Sequence, residues 1–153
     1  MLDSKYVSKA LSRGYLNMGR QASNAQLERF LDLLKAGEEL LAADGITLEH
    51  EAQVGCEFEI RSPVGTVWAE RKSFLNGDAI GAAIVFFCDS STGRSANTVF
   101  LGSVRLYDNK NWVFSKDIEI TDHYGQNTTA SVIQVIQLAL GRKLQHDHEI
   151  VMQ

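Results

Sequence analysis

Between residues 56 and 120 the chain alternates apolar and polar side chains with a period of two, and turn chemistry interrupts the pattern at short intervals. That combination commits the segment to antiparallel strands, because hairpins need only short connections whereas parallel neighbours need long crossovers. "CEFEIRS" sets Cys56, Phe58 and Ile60 against Glu57, Glu59 and Arg61, one dry face and one wet. Ser62-Pro63-Val64-Gly65 has the residues of a β-turn, "TVWAERKSF" follows as a strand, and Asn76-Gly77 signals a two-residue hairpin. "IGAAIVFFC" is apolar on both faces, as a central strand is. After the polar hairpin loop "DSSTGRSAN" come "TVFLGSVRLY", a turn at Asp108-Asn109-Lys110-Asn111, and "WVFSKDIEI", in which Trp112, Phe114, Ile118 and Ile120 share a face.

Helical spacing flanks this region. "SKYVSKALSRG" predicts a short helix ending near Gly14. "SNAQLERFLDLLKAGEELLAADG" predicts a longer one, capped by Ser23, with Leu27, Phe30, Leu31, Leu34 and Leu41 on one face and Gly45 as its stop. "NTTASVIQVIQLALGRK" predicts a third, capped by Asn127 or Thr128. The expected fold is α+β: a single antiparallel β-meander of about five strands, with the helices at 24–43 and 127–144 packed on one face. Residues 1–22 read as a loosely attached helix or arm, 23–145 as the core of one domain, and 146–153 as a polar tail.

Composition excludes several function classes. The 153 residues carry a net charge of -4, which opposes general nucleic-acid binding, and the longest uncharged apolar run, 79–88, is too short to span a bilayer. No secretory signal is read in the first twenty residues, so the expected location is cytoplasmic. Cys56 and Cys88 each sit inside an apolar strand pattern and read as buried thiols, neither a disulfide framework nor a metal knuckle.

The candidate sites compete with plainer readings. "HDHE" at 146–149 offers His146 and His148 as metal ligands, yet on an extended tail it supplies two ligands on one face and not four. His123, in "TDHYGQNTT", is the best-placed general base, although the same stretch makes a good strand-to-helix loop. "DSSTGRSANT" lacks the ending of a phosphate-binding loop, and Lys5, Lys9 and Arg13 read as the solvated side of a surface helix.

Besides binding of nucleic acid or an anionic partner by the arm at 1–20, two functions remain. The preferred one is a non-enzymatic interaction protein, working through its sheet face or edge on a protein partner or on itself as a homo-oligomer, with Trp68, Glu70 and Lys72 on the contact surface and no cofactor. The other is an enzyme or binder of a small hydrophobic ligand. Its pocket between a curved sheet and a helix would be lined by Phe86, Phe100 and Trp112, with His123 or His50 at the mouth and Gly81 and Gly102 permitting the bend.

Overall fold

The computed structural model describes residues 4–10, 13–50, 56–92, 95–120 and 128–153. The chain order is α1 (Ser4–Ala10), α2 (Arg13–Ala36), α3 (Glu38–Ala43), then seven strands, then α4 (Thr129–Val151). The strands are β1 (Thr47–His50), β2 (Phe58–Ser62), β3 (Gly65–Asn76), β4 (Ala79–Thr92), β5 (Ser95–Leu106), β6 (Trp112–Phe114) and β7 (Ile118–Ile120). They form one sheet in the order of the chain, each antiparallel to the next. The expected α+β meander is therefore present, with seven strands in place of about five.

Both extra strands have physical reasons. β1 is only four residues and mostly exposed, so "TLEH" lacks the apolar rhythm that marks a strand; it is held by its pairing, Thr47 to Arg61 through His50 to Phe58. The segment read as one strand at 112–120 folds back at Ser115-Lys116-Asp117, pairing Trp112 with Ile120 and Phe114 with Ile118. A three-residue loop returns the chain to the same side of the pleat, so all four apolar residues still point one way.

Much of the expected loop at 89–97 is strand as well, on both sides of residues 93–94, which lie outside the described residues: the ladder between β4 and β5 runs on to Thr92 opposite Ser95. The hairpin at 76–79 closes on Gly77-Asp78, one residue later than expected, with Asn76 opposite Ala79.

Helix boundaries also move. α2 runs continuously through Ser23, which is interior and not a cap, and through Gly14, the expected end of the first helix. The stop at Gly45 is as expected: φ is 77°, the Gly45 N–H donates to Ala42 O, and the Ile46 N–H to Leu41 O, each at 3.0 Å. This closes α3 with a Schellman turn whose apolar contact joins buried Ile46 and Leu41. Thr128 begins α4, its N–H donating to Ser131 Oγ at 3.0 Å. The largest correction is at the other end of α4, where the segment expected as a polar tail is helical to Val151.

α2 lies across β4, and α4 lies against α2 and β5. Between helices and sheet runs a line of rings: Trp112 to Phe30 at 5.6 Å, Phe30 to Phe58 at 6.3 Å, Phe58 to Phe86 at 6.2 Å and Phe86 to Phe114 at 6.4 Å. All five are fully buried. Burying each contributes about 1.5–3 kcal/mol, so this line is a main source of the fold's stability. Trp112 keeps its polar atom satisfied by donating from Nε1 to Gln26 Oε1 at 3.4 Å.

Candidate functional site

Because α4 continues through "HDHE", successive side chains there turn by about 100° and His146 and His148 face different ways. His146 Nε2 lies 3.2 Å from Ser90 Oγ on β4, Asp147 holds Lys143 at 2.6 Å, Glu149 accepts from Gln145, and His148 is exposed. Among the described residues no three His, Cys, Asp or Glu side chains come together as a metal site. The Ser90–His146 distance suits a nucleophile and its base, but the neighbouring Asp147 is bonded to Lys143, and no described carboxylate bonds the imidazole. The contact is a clamp between helix and strand. His50 is bound to Glu38 of α3 at 2.7 Å, and His123 lies outside the described residues.

The three rings expected to line a ligand pocket separate. Phe86 and Trp112 are wholly in the core, whereas Phe100 is 61% exposed. Two strand glycines make room for packed rings. A Cβ at Gly81 would meet the Phe74 ring at 2.6 Å, and one at Gly102 would meet the Phe114 ring at 2.7 Å. Gly102 has φ 143° beside a bulge where Phe86 pairs with Gly102 but Phe87 with Phe100, a backbone shape that glycine tolerates.

Trp68, Glu70 and Lys72 point away from the helices, since the alternate positions Val67 and Ala69 are buried under them. Trp68 does not stand alone on that outer face. It stacks on Phe87 at 6.1 Å, and Phe87 meets Phe100 edge-on at 6.2 Å, so a row of three rings crosses β3, β4 and β5. The signal for it was available in "VFFC": two adjacent rings in a strand must face opposite sides, so if Phe86 is core, Phe87 is not.

The row ends at a sheet edge. β6 pairs only with Val104 and Arg105, so among the described residues 97–100 of β5 are bonded to β4 on one side and to no strand on the other. Residues 95–103, "SANTVFLGS", carry no charge and no proline. The other edges are guarded: β1 is four residues long with Glu49 and His50, and β7 is three residues long with Glu119 exposed.

Two surface depressions flank the hairpin of β4 and β5, with opposite chemistry. One, of about 430 Å³, opens where β3 and β4 part beyond Trp68 and Phe87, and is lined by Glu59, Thr66, Trp68, Asp89, Thr98 and Lys143. Glu59 is buried and accepts from Arg61 Nε at 3.2 Å, and Lys143 reaches in beside Gly65 with its charge met by Asp147. The other, of about 490 Å³, lies at the far end of the open edge and is lined by Phe100, Ser103, Ser115, Lys116, Asp117 and Arg142. Sequence reading missed it because Arg142 is on a helix and Ser115 sits in a turn read as strand.

Neither thiol belongs to these sites. Burial pushes both Cys56 and Cys88 above the ordinary thiol value, and Cys56 donates from Sγ to Phe58 O at 2.9 Å, so both are protonated and unreactive at neutral pH. No helix among the described residues is long and apolar enough to cross a membrane. No protein-family model, curated protein or solved structure matches the chain, so its surface chemistry is the ground for a functional reading.

Proposed function

We propose that this chain is a non-enzymatic cytoplasmic binding protein that associates with a second copy of itself through the open stretch of β5 and the aromatic row beside it. The observation that carries this is the uncharged edge at 97–100, unpaired among the described residues, with Phe100 exposed on it. Unpaired backbone N–H and C=O groups are a template for another strand, and proteins that do not use such an edge normally block it with charge, proline or brevity. A twofold axis near Val99 would pair the two edges antiparallel, with Phe100 opposite Thr98 of the other copy, and no like charges would meet. The two free cysteines suit a reducing compartment.

Sedimentation velocity over a wide concentration range tests this reading. The expected result is a monomer–dimer equilibrium that Phe100→Glu displaces to monomer, with amide protection at 97–101 rising on dimerisation. A monomer at every concentration, or a dimer indifferent to Phe100→Glu, sinks it.

A further inference from the structure

The depression at the end of the open edge has three features that self-association does not require. The first is backbone strain. Ser115 has φ 55°, the left-handed region, and no other non-glycine among the described residues has a positive φ. Residues held there are strained and persist where the surroundings impose them, commonly at binding sites. Here the imposition is visible. Arg105 donates from Nη2 to Ser115 O at 3.2 Å and Lys116 O at 3.0 Å, and the Ser115 N–H donates to Ser103 O at 2.8 Å.

The second feature is charge. In a chain of net charge -4, the cations Arg105, Lys116 and Arg142 gather at this turn against the single carboxylate Asp117. None of the three has a carboxylate partner among the described residues. Arg105 is engaged by carbonyls and by Tyr107 Oη at 2.8 Å, and Arg142 lies over the Phe114 ring at 5.9 Å with Nη2 at 3.5 Å from Ser115 Oγ. The third feature is the set of donors: the hydroxyls of Ser103 and Ser115 line the same hollow as the Arg142 guanidinium and the Lys116 ammonium, with Phe100 as an apolar wall.

Guanidinium and ammonium groups with neighbouring hydroxyls recognise oxygen anions through charge-assisted hydrogen bonds. We propose that this depression is an oxyanion-binding site that takes a phosphate or carboxylate group, held by Arg142 and Lys116 with Ser103 and Ser115 as further donors. Arg105 is a positioning residue: it fixes the turn and adds positive potential. The site is complete within one copy of the chain, so it stands or falls separately from dimerisation.

The test is an amide chemical-shift titration of the full chain with inorganic phosphate and, in parallel, with acetate, at constant ionic strength maintained by chloride. Saturable shifts confined to residues 102–103 and 115–117 are expected. Arg142→Gln and Lys116→Gln should each weaken binding by about tenfold, while Asp117→Asn should tighten it by removing the opposing charge. Saturation by phosphate alone identifies a phosphate-bearing ligand, and comparable saturation by acetate a carboxylate. Shifts that rise linearly without saturating, or an affinity unchanged in both Arg142→Gln and Lys116→Gln, overturn the site. The unshifted remainder of the spectrum reports that each variant is folded.

Discussion

Phe86 and Phe87 are adjacent on β4 and belong to different parts of the molecule. Phe86 is fully buried between Phe58 and Phe114 under the helices; Phe87 is on the outer face between Trp68 and Phe100. The two faces of these strands use the same chemistry for opposite ends. On the inner face, rings removed from water hold the fold together. On the outer face, rings left partly in water add little to the isolated chain and remain available to another surface.

Truncating the inner line is the most damaging way to break this contrast. Phe86→Ala should cost roughly 3–5 kcal/mol, because the ring is fully buried between Phe58 and Phe114 and its removal leaves a cavity in the core. Urea denaturation measures it; a loss below about 1 kcal/mol would mean that the inner line is not the main support.

Next is the bulge that lets both faces coexist on β5. Gly102→Ala places a Cβ against the Phe114 ring and denies the backbone its φ of 143°, for an expected loss of about 2 kcal/mol or more. The same denaturation series reads this. A neutral result would show that β5 can be straightened without moving Phe114.

Much of the contrast was legible in the sequence, for a stated reason. Period-two alternation at Phe58 and Ile60, and at Trp112 and Phe114, is imposed by one-sided burial, so both the strands and the core followed from it. What was hidden depended on pairing or on backbone shape. β1 has no rhythm of its own. The turn at Ser115-Lys116-Asp117 contains neither glycine nor proline, so the left-handed residue that makes it gave no signal. "HDHE" was misjudged because histidine and carboxylates are tolerated equally on a solvated helix and on a tail; only the continuing contacts of α4, through Lys143 and His146, decide for helix. The oxyanion site joins β5, the turn and α4, and no local pattern reports that meeting.

A smaller effect should appear with pH on the inner face. Burial raises the Cys88 thiol above its ordinary value of 9.0, so the folded chain keeps that proton longer than the unfolded chain does. Stability from this group is intact below the ordinary value and falls as pH rises through the folded one. Denaturation midpoints taken from neutral to strongly alkaline pH should therefore decline above about 9, and Cys88→Ala should reduce that slope. An unchanged slope would assign the alkaline loss to other groups.

The smallest stability change carries the most functional weight. Phe100 is 61% exposed and packs on Phe87 of the outer face, so Phe100→Glu should alter the stability of the monomer by no more than about 0.5 kcal/mol. The comparison then becomes quantitative: Phe86→Ala weakens the fold and leaves the surface intact, and Phe100→Glu alters the surface and leaves the fold intact. Denaturation of dilute Phe100→Glu, where any dimer has dissociated, isolates the monomer's own stability. A loss approaching that of Phe86→Ala would show that the outer row supports the fold, and the edge of β5 would lose its claim to be a surface held in reserve for a second strand.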